Sequence, residues 1–388
     1  MREGWEYKKL GEVAKVVTGA TPKTNIKKYW GEGHYWVTPA EINEKNVYIS
    51  ETERQITDAA LDCTKLQLLP KGTVLLSSRA PIGKVAICGV DMYCNQGFKN
   101  CICSDELFNK FLFYFLIYNK DYLNSLGRGA TFKEISKSIV EKIVIYIPPF
   151  KTQLSIASEL DMITEMISKY DEQLKELDKL SQSIFYEMFG DPVENEKGWE
   201  VKKLEDVCVC ITDGDHMPPP KADYGVPFVT IGNINKESRM IDFSNTYYVP
   251  REYFDKIQST RKPQIGDVLY TVTGSYGIPI YIDYETEFCF QRHIGLLRPS
   301  ESISSIFLYE WALNKRTKYQ ADNVATGIAQ KTVSLKCLRN FDIILPPLSL
   351  QQSFARKIEA IEAMKSKVKE AKKEAETLLA ARMQYWFE

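Results

Sequence analysis

The sequence predicts an α+β protein: two similar globular domains, of mixed β-sheet or small β-barrel-like form with helices, alternating with two long helices that pair as an antiparallel coiled coil. Three observations predict it. The first half of the chain recurs in the second. Each half begins with short β-branched and aromatic runs broken by Gly, Pro and Asn. Each half ends in a long stretch whose apolar residues fall at alternating steps of four and three.

The recurrence is extensive. Gly4-Trp5-Glu6-Tyr7-Lys8-Lys9-Leu10 returns as Gly198-Trp199-Glu200-Val201-Lys202-Lys203-Leu204. Trp36-Val37-Thr38 returns as Phe228-Val229-Thr230, and Gly72-Thr73-Val74-Leu75 as Gly266-Asp267-Val268-Leu269. Gln96 aligns with Gln291, and Tyr114 with Tyr309. Ile147-Pro148-Pro149-Phe150 and Gln153 return as Leu345-Pro346-Pro347-Leu348 and Gln351. The segments between these matches diverge. Thr18-Gly19-Ala20-Thr21-Pro22-Lys23 shares little with Thr212-Asp213-Gly214-Asp215-His216-Met217. One scaffold with two loop sets implies two related ligands rather than one.

Taken in order, Val13 to Val17, Trp36-Val37, Val47 to Ile49, Thr73 to Ser77 and Lys84 to Cys88 are predicted strands. Phe108 to Tyr122 is a predicted helix, and Ile143 to Ile147 a last strand stopped by Pro148-Pro149. The first long helix carries the seam Ile156, Leu160, Ile163, Ile167, Tyr170, Leu174, Leu177, Ser181, Ile184 and Met188 and ends at Gly190-Asp191-Pro192. The second starts near Ser349 and continues with Phe354, Ile358, Ile361, Val368, Ala375 and Leu379, with Lys365 and Lys372 interrupting. A seam this long needs a partner, either its own domain or, the better reading, the other helix in an antiparallel pair. The predicted boundaries are a domain at 1–148, a helix at 149–190, a domain at 191–347 and a helix at 348–388. A helix of this length spans roughly 50 Å, about 15 base pairs of duplex, so the pair would act as a ruler.

Composition sets few limits. Lys and Arg number 50 against 51 Asp and Glu, for a net charge of -1, so any basic footprint must be local. No apolar run reaches the length of a membrane span, and Met1-Arg2-Glu3-Gly4-Trp5 lacks a signal-peptide core; a cytoplasmic protein with reduced thiols is expected. Cys101/Cys103 and Cys208/Cys210 have one intervening residue, which suits one face of a strand better than zinc, so buried apolar packing is the expectation.

Motifs of catalysis fail on inspection. Ile147-Pro148-Pro149-Phe150 resembles an amino-methyltransferase motif, but that chemistry needs Asn, Asp or Ser before the prolines. Gly127-Arg128-Gly129 and Gly274-Ser275-Tyr276-Gly277 lack the spacing of a nucleotide-binding turn. Asp213-Gly214-Asp215-His216 does not complete a calcium loop, and no nucleophile elbow occurs, so neither a metal nor a catalytic residue is expected.

Polar, glycine-bounded loops at matching places suit DNA instead. In the first half they hold Lys23, Thr24, Asn25, Lys27 and Lys28; Ser77, Ser78, Arg79 and Lys84 beside Gly83; Asn95, Gln96, Lys99 and Asn100; and Arg128 with Thr131-Phe132-Lys133. The second half offers His216 and Lys221; Thr273, Ser275 and Tyr276; Gln291, Arg292 and His293; and Gln330 with Lys331. Lysines suit phosphate, whereas Asn, Gln and Arg can pair with base edges.

The chain resembles the specificity subunits of type I restriction–modification systems over essentially its whole length. The resemblance rests on Gly-Trp-Glu-x-Lys-Lys-Leu at residues 4 and 198, the Pro-Pro-x-x-x-Gln segments ending at Gln153 and Gln351, and Ser183-Ile184-Phe185-Tyr186-Glu187-Met188-Phe189-Gly190. It implies two target-recognition domains, each reading half of a split double-stranded DNA site, with the helices setting the spacer. It implies two modification subunits as partners, restriction subunits as optional further ones, and S-adenosylmethionine, ATP and Mg on those partners rather than on this chain. The alternatives are a specificity module of a type IIB-like methyltransferase-nuclease, an enzyme with an unrecognised site, or a coiled-coil scaffold.

Overall fold

A computed structural model describes residues 4–43, 46–79, 81–129, 133–327 and 330–388. The chain divides into two compact units: Met1–Glu172 with Lys369–Glu388, and Gln173–Val368. Each is an α+β domain completed by a segment of each long helix.

In the first unit a five-stranded sheet runs in the order Ala14–Thr18, Lys99–Cys103, Val74–Leu76, Val85–Cys88, Tyr48–Ile49. The last pairing is parallel and the others antiparallel. Trp30–Val37 forms a second sheet between Gln55–Ile56 and Tyr93–Cys94. The first and last strands of the domain, Glu6–Lys9 and Val144–Ile147, close it as an antiparallel pair with Glu6 opposite Ile147. The second unit repeats the plan. Its four-stranded sheet is ordered Cys208–Asp213, Ile294–Pro299, Val268–Thr271, Pro279–Tyr281, and Glu200–Lys203 pairs with Asp342–Leu345 with Glu200 opposite Leu345. Tyr247–Val249, Val226–Val229 and Cys289–Phe290 form its three-stranded sheet. The strands expected at 13–17, 36–37, 47–49, 73–77, 84–88 and 143–147 are all present within a residue or two, although the one at Trp36-Val37 starts at Trp30.

The helix expected at 108–122 is two helices, Asn109–Tyr118 and Lys120–Leu126. The Asn119 side-chain amide donates to Phe115 O at 2.9 Å, competing for a carbonyl the helix would use, and its backbone leaves the helical region. Asn109–Tyr118 carries six consecutive buried residues, Phe111, Leu112, Phe113, Tyr114, Phe115 and Leu116, so its middle packs into the core all the way round.

The long helices are Phe150–Phe189 and Leu348–Phe387. The Pro-Pro-x-x-x-Gln segments explain how they begin. Gln153 is fully buried; its Oε1 accepts from Phe108 N at 2.8 Å and its Nε2 donates to Glu106 O at 2.8 Å and Pro148 O at 3.0 Å. Gln351 does the same with Ser304 N and Pro346 O, both at 2.8 Å. One buried amide thus ties the helix start to the turn before the neighbouring domain helix. The prolines end a strand and open a helix in both halves.

The helices pair antiparallel within each unit. In the first, Glu159 binds Arg382 and accepts from Trp386 Nε1 at 3.0 Å, while Met383 and Phe387 enter the core beside Ile156 and Leu160. In the second, Phe185 and Phe189 pack on Phe354 with ring centroids 5.7 and 5.1 Å apart. The seam residues Leu160, Ile163, Phe354, Ile358, Ile361, Val368 and Ala375 are buried, and Ile167, Tyr170, Leu174, Leu177, Ile184 and Leu379 half-buried. Near the end of the first helix the stripe moves from Ile184 to Phe185 and Phe189, which the four-three pattern misses. Gly190 then takes φ +76 and Trp199 Nε1 caps Phe189 O at 2.8 Å, which gives the tryptophan of the second domain's Gly-Trp motif its place.

All nine cysteines are free. Cys88, Cys94, Cys101 and Cys289 are buried and burial pushes their thiols up, so they pack as small apolar groups; Cys63 is exposed. Among the described residues no helix is long and apolar enough to cross a membrane.

Candidate nucleic-acid interface

Four loops converge in each domain, and the same backbone hydrogen bonds hold them. In the first domain Ala20 N donates to Cys94 O (3.0 Å), Asn95 N to Val37 O (3.2 Å), Ser78 N to Gly97 O (2.7 Å) and Ile135 N to Ser78 O (2.9 Å). In the second, Asp215 N donates to Phe290 O (2.8 Å), Gln291 N to Val229 O (3.0 Å), Val272 N to His293 O (2.9 Å) and Val333 N to Val272 O (2.8 Å). Arg128 and Glu134 form a reciprocal backbone pair, as do Thr326 and Thr332.

These bonds refine the alignment of the halves. Gln291 occupies the place of Asn95, not of Gln96 as the sequence match suggests. Gln96 corresponds to Arg292, and both side chains are exposed. The divergent segments after the first strand also share a device. Gly19 and Gly214 lie so close to the facing strand that a Cβ would meet Cys94 O at 2.2 Å and Phe290 O at 1.8 Å. Glycine is required there, and it launches both variable loops from one spot.

The second loop is built around a single buried hydroxyl. Ser77 Oγ donates to Pro81 O at 2.8 Å and accepts from Lys84 N at 2.8 Å. Thr271 Oγ1 donates to Ser275 O at 2.7 Å and accepts from Ile278 N at 3.0 Å. Gly83 and Gly277 close these loops at φ +87 and +84. Gly83 is buried against Lys120, so its conformational freedom serves the turn rather than an approaching phosphate.

Within this frame some expected contact residues turn inward. Lys99 is buried; its ammonium lies 3.1 Å from Glu134 and 3.2 Å from Ser78 Oγ. Ser78 is fully buried and donates to Gly97 O at 3.0 Å. Lys84 Nζ donates to Pro39 O at 3.0 Å and Ile42 O at 2.9 Å. These three groups hold loops together, whereas DNA contacts were expected of them. Lys23, Thr24, Lys27, Lys28, Arg79, Gln96, Arg128 and Lys133 are exposed and Asn95 is half-buried. The loops they sit on touch: Thr21 Oγ1 hydrogen-bonds Gln96 Oε1, and Trp30 Nε1 donates to Lys23 O at 3.3 Å. Thr131 and Phe132 lie outside the described residues.

Glu134 was not legible as part of this site. It pairs with Arg79 at 3.0 Å and with Lys99 at 3.1 Å. Burial pushes its carboxyl up, but the hydrogen bonds and charges of Lys99 and Arg79 outweigh that and hold it below the usual carboxylate range. In the second domain the equivalents of Arg79 and Glu134 are Thr273 and Thr332, whose hydroxyl oxygens lie 3.4 Å apart. One position carries an ion pair in one domain and a hydroxyl pair in the other.

The second domain has a cleft of about 340 Å³ lined by Asp213, Thr273, Arg292, His293, Gln330 and Thr332, among others. It brings together four residues predicted from three separate loops. Burial and the neighbouring Arg292 charge push the His293 imidazole down, favouring its neutral form, which both donates and accepts. His216 bonds Asp213 Oδ2 at 2.9 Å. Arg261, not anticipated, bonds Asp213 O at 2.9 Å and Gly214 O and lies 3.7 Å from Asp215. Among the described residues no group of His, Cys, Asp and Glu is arranged to hold a metal ion. Lys221 lies over the Tyr247 ring, and Gln330 and Lys331 are exposed. Tyr276 OH donates to Asp322 at 2.9 Å, which ties the loop of Ser275 and Tyr276 to the adjacent helix.

The two domains thus share one scaffold and present unlike polar loops. Comparison with known proteins gives the class. A family model described as type I restriction modification DNA specificity domain matches residues 2–178 and again 196–377. The chain therefore belongs to that family and carries two of its domains. The MjaIX specificity subunit of Methanocaldococcus jannaschii is 35% identical over 60% of this chain and 58% of that protein. The MjaVIII specificity subunit of the same organism is 24% identical over 97% of this chain and 92% of that protein. The S subunit of a type I system from M. genitalium has the same fold, with TM-score 0.57 at 15% identity, covering 99% and 96% of the two chains. So does a chain from a solved structure of type I R-M complex assembly, with TM-score 0.62 at 19% identity, covering 100% and 98%. The chain is a type I specificity subunit, and none of these likenesses favours the type IIB-like or enzymatic alternative.

Proposed function

We propose that this subunit reads a split DNA site, one half with each domain, and holds the halves at a fixed spacing with the paired helices. The observation that carries the reading is the duplicated loop cluster: equivalent backbone hydrogen bonds, but Arg79, Gln96 and Arg128 in one domain at the positions that hold Thr273, Arg292 and Thr326 in the other. A fixed scaffold with exchanged side chains suits two unlike half-sites. In the first domain Lys23, Lys27, Lys28 and Lys133 supply phosphate contacts.

Catalysis belongs to partners. Two modification subunits, carrying S-adenosylmethionine, would methylate one base in each half-site; restriction subunits, using ATP and Mg, would join in a nuclease. Such work places the protein in the cytoplasm. With charge this evenly balanced over the chain, partners must supply part of the grip on DNA. Footprinting of the reconstituted complex of this subunit with its modification subunit tests the reading. Two protected blocks flanking a sequence-insensitive gap are expected. One continuous block, or protection independent of sequence, would refute it.

A further inference from the structure

The seam of the second helix is interrupted at two core positions by Lys365 and Lys372, one heptad apart. Neither points away from the partner helix. Lys365 is buried, with Asp178 at 2.7 Å and Glu362 at 2.6 Å. Lys372 has Asp171 at 2.6 Å and Glu376 at 3.6 Å. Asp171 and Asp178 are themselves one heptad apart on the first helix. A step of one heptad forward along one helix and backward along the other leads from one pair to the next, so both pairs report a single antiparallel register.

We propose that these two lysine–aspartate pairs are register keys, positioning residues that select one alignment of the long helices and reject slipped ones. Along the middle of the pair the apolar heptad seam is nearly periodic, so that stretch alone does not distinguish alignments one heptad apart. The charges break that degeneracy. By heptad counting, a slip in one sense sets Lys365 against Asp171, leaves Lys372 near Thr164 and brings Asp178 to Ile358. A slip in the other sense drives Lys365 toward Phe185, a fully buried ring. Only the observed register pairs all four charges. Lys365 is buried but Asp178, Lys372 and Asp171 are partly exposed, so the pairs add little net stability, and specifying register is the use best matched to them. The functional weight of the keys rests on the reading of the helices as a spacer ruler, since a one-heptad slip moves the helices by about 10 Å.

The test replaces Asp171, Asp178, Lys365 and Lys372 together by Leu, which removes the keys while keeping an apolar seam. Two readouts are taken in the complex with the modification subunit: the distance between spin labels at the exposed positions Glu165 and Lys373, and the spacer of the methylated motif. A single distance and a single spacer are expected for the natural chain. The quadruple variant is expected to add a second, distinct distance and at least one further spacer. Lys365→Asp alone should disturb both readouts, and Lys365→Asp with Asp178→Lys should restore them. A quadruple variant with one distance and one spacer, unchanged, would overturn the proposal. An unchanged spacer beside a doubled distance would instead overturn the ruler and leave the keys standing.

Discussion

At the scale of single residues, the proposed reading puts the sequence preference on the outward side chains of the loop clusters. Gln96→Ala and Arg79→Ala will alter only the half-motif read by the first domain, and Arg292→Ala only the other, each costing about 1–3 kcal/mol of discrimination at its base pair. Competition binding with single-base variants of each half-site measures this. Glu134 acts inside the fold. Glu134→Ala leaves Lys99 buried without its anion and will lower stability by about 1–3 kcal/mol. Because its carboxyl is held below the ordinary value, the contribution is complete above the unfolded carboxylate pKa and disappears as pH falls through the lowered folded value. Thermal melts of the natural chain and the variant will therefore converge in acid. Glu310 has the opposite sign. Burial pushes its carboxyl up to about 7, with Glu362 adding to that and Lys365 and Arg239 opposing it. Its effect favours the fold below pH about 4.5 and is lost as pH rises to 7. Glu310→Gln will gain on the natural chain by about 2–4 kcal/mol between pH 5 and 8.

At the scale of elements, the strands and the long helices were legible because each obeys a local period: two for the strands, three and four for the seam. The helix break at Asn119 was hidden because one amide competing for one carbonyl leaves no periodic trace. Glu134, Lys84 and Lys99 were hidden for another reason. A lysine in a polar loop reads as solvated, and only the tertiary fold shows carbonyls or a carboxylate waiting for it. The assignment of Gln96 slipped by one residue because two glutamines invite alignment; backbone hydrogen bonds, not side-chain identity, settle which positions match. The helices give a prediction at this scale. Four residues inserted beside Leu174 rotate the seam by about 40° and extend the helix by about 6 Å. Sequencing of methylated sites will show a changed spacer, or assembly will fail, and neither half-motif will change.

At the scale of the whole chain, the duplication was the most informative feature, since it exposed both the scaffold and the places where the scaffold is not conserved between halves. It could not show how the loops meet, because loop convergence depends on contacts between residues far apart in sequence, such as Ser78 with Gly97 and Ile135. Methylome sequencing of cells that express this chain with its modification subunit tests the central claim most directly. The account predicts one methylated motif made of two unlike half-sites separated by an unread spacer of constant length. A continuous motif, or two identical half-sites read by both domains, would contradict it.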